Sequence, residues 1–250
     1  MEFNFGNRVV LITGATRGIG EQLAKDFEKS GADLILTGTK FEQINELNKN
    51  MIKNNRNNIR YYCVDFLRED SLNDFIYKLQ EYDKIDVCIN NAGINRIDYF
   101  YETSVKDWDD IINVNLKAPF MLCREVGKLM KKNGYGRIIN IASIFGVISR
   151  EKRSIYSTSK SGLIGLTKSI AIDLAPYNIL VNCVSPGFVL TDLTKKILID
   201  TEMKDLESRI PRRRFATPAD ISKVILFLSS DLNTYISGQN IIVDGGYVNI

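Results

Sequence analysis

The 250-residue sequence contains no histidine. That absence removes Ser-His-Asp and Cys-His nucleophilic catalysis and every histidine-ligated metal site. Its four cysteines, Cys63, Cys88, Cys123 and Cys183, stand far apart with no Cys-x-x-Cys spacing. They read as small buried hydrophobes in a reducing cytoplasm. No apolar run approaches the roughly 18 residues of a membrane span. No basic stretch followed by an apolar one opens the chain, so no secretory signal is expected. Charge of one sign is also scarce: 33 Lys+Arg stand against 30 Asp+Glu, a net +3. Nothing there calls for nucleic acid or a membrane, and the local basic cluster Arg209–Arg214 reads as a solvated turn. Acid–base work is left to Tyr, Lys, Asp, Glu, Ser or Cys.

What is present is an ordinary apolar content of 44% in a chain long enough for one large core. Short apolar runs alternate with helical patterns. Arg8–Thr13, Asp33–Thr37, Tyr61–Asp65, Ile85–Asn90, Gly136–Ala142, Ile179–Val184 and Gln239–Asp244 read as strands. Between them, Ile19, Leu23 and Phe27 mark a helix ending at Gly31. Further helices are expected at Phe41–Met51, at Ser71–Glu81 with Ser71 as N-cap, and within Ser104–Lys132. Others are expected at Ser154–Leu174, and at Pro218–Leu228 with Thr217 as N-cap. Continuous rather than alternating apolar strands imply a sheet covered on both faces. The expected fold class is therefore α/β, a doubly wound parallel sheet of about seven strands with helices on both faces. No linker divides residues 1–250, so one domain is expected. The irregular stretch from Ser185 to about Lys195, followed by a helical Thr194–Ser208, suggests a substrate lid around 188–212.

Thr13-Gly-Ala-Thr-Arg-Gly-Ile-Gly20 lies between the first strand and the first helix. Glycines there allow a tight turn and close backbone approach to a pyrophosphate seated on the helix N-terminus. No Gly-Lys-Ser/Thr follows, so the turn is not a P-loop. An acid at the end of the second strand would take a ribose 2′-hydroxyl. The chain instead reads Thr37-Gly38-Thr39-Lys40. Arg17 and Lys40 are positioned to meet a 2′-phosphate, which favours NADP(H) over NAD(H). Asp65, at the end of the third strand, is placed for an adenine amino group; Asn90-Asn-Ala-Gly93 is placed to lie against an adenosine or ribose, or is a simple turn.

Tyr156 and Lys160 are four residues apart, thirteen beyond Ser143. On a helix they share one face. A nearby ammonium favours the phenolate, so the phenol pKa is expected to fall from about 10 toward working pH. Such a phenol exchanges a proton with a carbonyl or alcohol oxygen. Taken alone, the spacing is better read as two helix-surface residues.

The order of the glycine turn, Asn90-Asn-Ala-Gly93, Asn115, Ser143, Tyr156-x-x-x-Lys160 and Pro186-Gly187 resembles the short-chain dehydrogenase/reductase family, in its compact single-domain branch, from Gly6 to Tyr247. The resemblance implies a Rossmann-like fold and an NAD(P)(H)-dependent oxidoreductase interconverting a ketone and a secondary alcohol. It implies Tyr156 as general acid/base and Lys160 as the residue lowering its pKa and holding the nicotinamide ribose. Ser143 would bond the substrate oxygen, and Asn115 would hold a water that relays protons. Cofactor contacts are implied at Gly14, Thr16, Arg17, Gly18, Ile19, Gly20, Thr39, Lys40, Asp65, Phe66, Asn91, Ala92, Gly93, Tyr156, Lys160, Pro186, Gly187, Val189 and Thr191. A homotetramer, built through the long helix and the Tyr156 helix, is implied as well.

For the substrate, Gly162-Leu-Ile-Gly-Leu166, Val184-Ser-Pro-Gly-Phe188 and Val243-Asp-Gly-Gly246 resemble 3-oxoacyl-[acyl-carrier-protein] reductases, and equally sugar and polyol dehydrogenases. The charged stretch Arg150-Glu-Lys-Arg153, with Arg96, is suited to a phosphate, carboxylate or nucleotide sugar, or is a solvated loop. A small carbonyl or alcohol substrate is expected, a sugar or polyol derivative or a 3-oxoacyl thioester, free or bound to a carrier protein. The alternative is a nonenzymatic NADP-binding sensor or scaffold. Neither a metal nor nucleic acid is expected.

Overall fold

The computed structural model describes residues 3–191 and 200–249. Seven parallel strands form one sheet in the order β3-β2-β1-β4-β5-β6-β7. They are β1 (Val9–Ile12), β2 (Asp33–Gly38), β3 (Ile59–Cys63), β4 (Val87–Asn90), β5 (Gly136–Ile141), β6 (Ile179–Pro186) and β7 (Asn240–Val243). Among the described residues the α-helices are α1 (Gly18–Lys29), α2 (Phe41–Lys53), α3 (Glu69–Leu79), α4 (Val105–Ile112), α5 (Ala118–Asn133), α6 (Ser154–Leu174), α7 (Asp200–Arg209) and α8 (Pro218–Ser229).

The two-residue period of the strands divides the core. Val10 and Ile12 pack on one face with Leu23 and Phe27 of α1 and Ile221 and Ile225 of α8. Leu11, between them, faces Phe75 of α3 and Leu122 and Val126 of α5. All of these side chains are nearly inaccessible to water, which makes apolar burial the dominant favourable term. Strand order reverses between β1 and β4, and parallel sheets of this kind bind ligands in the crevice beyond the strand ends at such a point.

Local details depart from the sequence expectations. The long helix over 104–132 is interrupted by a π-helical turn at Asn113–Lys117. Pro119 has no N–H for the carbonyl of Asn115 four residues earlier, and its ring crowds that carbonyl, so a regular α-turn is not available. Ser71 does not cap α3, which starts at Glu69. The Ser71 hydroxyl instead accepts the Asp65 backbone N–H at 2.9 Å. Ser185 and Pro186 belong to β6, paired with Ile242 and Val243, rather than to a loop. Cys63 is exposed at the end of the edge strand β3, while Cys88, Cys123 and Cys183 are buried as expected. Thr217 caps α8: its hydroxyl accepts from Asp220 N, and the Asp220 carboxylate accepts from Thr217 N.

The lid expectation falls partly on residues 192–199, which lie outside the described residues. Its later part is anchored. Leu206 and Ile210 are buried, and Arg212 N donates to the Gly245 carbonyl at 3.2 Å. The 211–214 turn is exposed, with Arg214 paired to Asp220 at 2.7 Å.

Candidate active site

The site is assembled at the C-terminal ends of β1, β4, β5 and β6. After β1, Gly14 and Gly18 adopt left-handed backbone, φ +64° and +58°. A Cβ on Gly20 would stand 2.2 Å from the Gly14 carbonyl oxygen, so only glycine closes this turn. Thr13 locks it to the end of β4 by accepting from the N–H groups of Asn91 and Ala92, both at 2.9 Å. The Asn91 amide donates to the carbonyls of Thr13 and Gly14. No side chain caps the start of α1. Its free N–H groups and partial positive charge are therefore left for an anion. Thr191, far along the chain after β6, reaches this turn. A Cβ on Gly18 would lie 3.4 Å from its methyl carbon. The turn, which contains Thr16, Arg17 and Ile19 and is approached by Thr191, has the form suited to the pyrophosphate of a dinucleotide.

The end of β2 has the character expected from the sequence. Arg17, Thr39 and Lys40 are exposed, and no acid stands among them. The Asp65 carboxylate already accepts the Leu67 N–H at 3.0 Å. Phe66 offers the groove only its backbone, because its ring is buried in the core with Phe75 and Leu72. Val189 is likewise turned into the core, bridged to Ala216. Pro186 ends β6 and Gly187 follows it, with a Cβ on Gly187 only 2.8 Å from Asp244 Cα.

Ser143, Tyr156, Lys160 and Asn115 converge past β4 and β5. Ser143 follows β5, where its hydroxyl accepts the Phe145 N–H at 3.1 Å and it is 7% exposed. Tyr156 and Lys160 share one face of α6, with Nζ 5.8 Å from the phenol ring centroid. Lys160 is buried and donates to the Ile141 carbonyl at 2.8 Å. Asn115 sits in the π-helical turn, fully buried, and brackets Ile94 by accepting from its N–H and donating to its carbonyl, both at 2.9 Å. Its amide also donates to Ser159. Gly93 lies between the two: its Cβ would be 3.3 Å from Asn115 Oδ1 and 3.5 Å from Lys160 Nζ.

The electrostatics correct one expectation. Burial raises the Tyr156 pKa above the usual phenol value, with Ser143 and the Arg153 charge pulling the other way. The phenol is thus held as a proton donor, and the expected fall does not occur. Burial also lowers Lys160 to about 8. Both shifts have one cause, the loss of water around the charged form.

The charged loop is split. Arg96 is committed elsewhere, bonded to Asp107 at 3.2 Å and exposed. Arg150 is exposed, and its guanidinium lies 5.6 Å from the Phe145 ring centroid. Arg153 is buried at the same distance from that ring. Residues not anticipated from the sequence also shape the site. Thr13 clamps the glycine turn. Phe145 and Phe188 form an edge-to-face row that runs from Tyr156 to Tyr247. Pro119, four residues after Asn115, was the available signal for the π-helical turn.

A family model described as Enoyl-(Acyl carrier protein) reductase matches residues 14–248. The chain belongs to the short-chain dehydrogenase/reductase family. Family members are oxidoreductases acting on keto and CH–OH groups with a nicotinamide cofactor, and the chain is an enzyme of this kind. It is 39% identical over 251 residues to the 3-oxoacyl-[acyl-carrier-protein] reductase of Aquifex aeolicus (strain VF5), covering 98% of this chain and 99% of that one. It is 33% identical over 247 residues to an NAD-dependent glycerol dehydrogenase of Listeria innocua, covering 98% and 96%. The solved structure of ElxO with NADP bound superposes with a TM-score of 0.89 at 32% identity, covering 97% and 99%. No described helix is long and apolar enough to cross a membrane, and no described cluster of acidic or thiol side chains could hold a metal.

Proposed function

We propose that the chain reduces a ketone, or oxidises the matching secondary alcohol, using NADP(H), with Tyr156 exchanging the proton at the substrate oxygen. The convergence of Ser143, Tyr156 and Lys160 at the ends of β5 and α6, beside Gly93, supports this reading most directly. The uncapped start of α1 with Gly14, Gly18 and Gly20 would hold the pyrophosphate. Arg17, Thr39 and Lys40 would meet the 2′-phosphate, Asp65 and the Phe66 backbone the adenine, and Asn91, Ala92 and Gly93 the ribose. Pro186, Gly187 and Thr191, on the backbone that Val189 anchors, would border the nicotinamide. When bound, the cofactor supplies or accepts the hydride; the protein supplies orientation and a proton.

In the reducing direction the protonated phenol of Tyr156 gives its proton to the carbonyl oxygen as negative charge develops there. Ser143 turns a hydroxyl toward the same oxygen. Lys160, fixed by the Ile141 carbonyl, would hold the ribose hydroxyls and keep positive charge near the phenol. The Asn115 side chain is fully engaged with Ile94 and Ser159. A relay water would therefore rest on its backbone carbonyl, which Pro119 cannot serve.

Replacing Tyr156 by Phe is expected to lower kcat by about 10²–10⁴-fold while leaving NADPH affinity intact, measured by NADPH oxidation and equilibrium binding. Near-normal turnover would refute the assignment. The Michaelis constants for NADPH and NADH test the cofactor, and a marked NADH preference would refute the role given to Arg17 and Lys40. The substrate is proposed to be a sugar or polyol derivative or a 3-oxoacyl thioester, free or carrier-bound. Screening NADPH loss with an acetoacetyl thioester and NADP+ reduction with polyols and sugar acids separates them. A cytoplasmic homotetramer suits the free thiols and the exposed Trp108, Phe120 and Ile172 on α4, α5 and α6; light scattering tests the assembly.

A further inference from the structure

Arg153 is a buried cation without a counter-ion. Its side chain is 8% exposed, and both Nε and Nη1 are buried with no hydrogen-bond partner. Buried guanidinium donors cost free energy unless an acceptor meets them. The surroundings add charge of the same sign. Arg150 and Arg153 share the Phe145 ring, each guanidinium carbon 5.6 Å from its centroid. Burial disfavours the charged form of Arg153, and the nearby Arg150 charge adds to that. Among the described residues no carboxylate pairs with either. Lys152, on the same turn, lies 4.3 Å over the Tyr99 ring rather than on an acid. Arg153 also lies near the reacting centre. It is the N-cap residue of the helix that carries Tyr156, its charge reaches that phenol, and the Phe145 ring packs edge-on against Tyr156 at 6.5 Å. The loop continues to Ile148, which borders a cavity of ≈ 680 Å³ whose other walls include Arg209, Arg213 and Tyr247. Arg213 donates to the Ser208 carbonyl and not to a carboxylate.

We propose that the buried guanidinium of Arg153 reads an anionic group, a carboxylate or a phosphate, on the substrate held at Tyr156. This rests on Tyr156 and Ser143 being the reacting site. Arginine is suited to the task because its planar, always-charged fork matches both oxyanions. A chain whose substrate is neutral at this position would be left with a permanent unpaired charge beside its general acid.

The test is calorimetric titration of NADP+-saturated protein with malonate, inorganic phosphate and the uncharged malonamide. The unaltered protein is expected to bind at least one of the anions about tenfold more tightly than malonamide, and the stronger of the two distinguishes carboxylate from phosphate. Arg153→Gln is expected to abolish the preference with NADP+ affinity unchanged, and Arg153→Lys to keep part of it. Equal binding of all three probes, no measurable binding of either anion, or an undiminished preference in Arg153→Gln overturns the proposal. The comparison on the unaltered protein decides even if the variants do not fold. Failure of the reaction assignment is read separately, from turnover in Tyr156→Phe.

Discussion

Tyr156 and Lys160 are displaced in opposite directions by desolvation, the phenol upward and the more deeply buried ammonium down to about 8. A lysine with a lowered pKa is charged below that value and loses its charge as pH rises through it. A phenol with a raised pKa stays protonated across the neutral range. In the proposed mechanism, reduction needs the Tyr156 proton and the Lys160 charge together. Its kcat/KM is expected to be level at neutral pH and to fall above about pH 8. Oxidation, which needs the phenolate, is expected to gain as pH rises. Rate profiles in both directions check this, and a reduction rate that climbs through pH 8 would tell against the pair. Arg153 belongs at this scale too. The spacing Arg150-Glu-Lys-Arg153 gave the two arginines equal standing, and burial alone separates them.

The element whose start is most firmly specified is α8. Thr217 and Asp220 exchange hydrogen bonds in a capping box, Pro218 occupies the first helical position, and Arg214 pairs with Asp220. Thr217→Ala is expected to cost ~1 kcal/mol of stability by urea unfolding, because the Asp220 N–H loses its acceptor and the Asp220 carboxylate loses the Thr217 hydroxyl. Hydrogen bonds from Arg214 and Thr217 hold the Asp220 pKa well below the usual carboxylate value. Its contribution is therefore present above the ordinary carboxylate pKa and is lost as pH falls below it. Asp220 is largely solvated, so the effect is modest. The cap was legible because both partners lie within four residues. The α4–π–α5 break was not anticipated, because a continuous apolar pattern runs through it and only Pro119 signals the interruption.

Across the molecule, the proposed cofactor site is distributed over loops from β1 to β6. Thr13 joins the first of these to the fourth strand, and Thr191 returns over Gly18. A ligand bridging these loops stabilises the folded state by mass action. NADP+ at one hundred times its Kd is expected to add about 2.7 kcal/mol. For a chain of this length that is a rise of roughly 5–10 °C in Tm. Thermal scans check it, and Tyr156→Phe should show the same rise if the phenol acts, as proposed, in the reaction and not in anchoring the pyrophosphate.

The sequence by itself determined the alternation of strands and helices, the sidedness of the sheet, the glycine turn and the face shared by Tyr156 and Lys160. Each is a matter of residues within about one turn or one strand, where backbone periodicity and sterics decide. Ser143 and Asn115 were placed by motif order rather than by local chemistry. Tertiary structure alone decided how much water each group keeps. That is why the Tyr156 pKa rises instead of falling, why Phe66 and Val189 turn into the core, and why Arg96 pairs with Asp107 while Arg153 is left unpaired. Desolvation depends on what packs around a side chain from distant parts of the chain, and no local pattern records it.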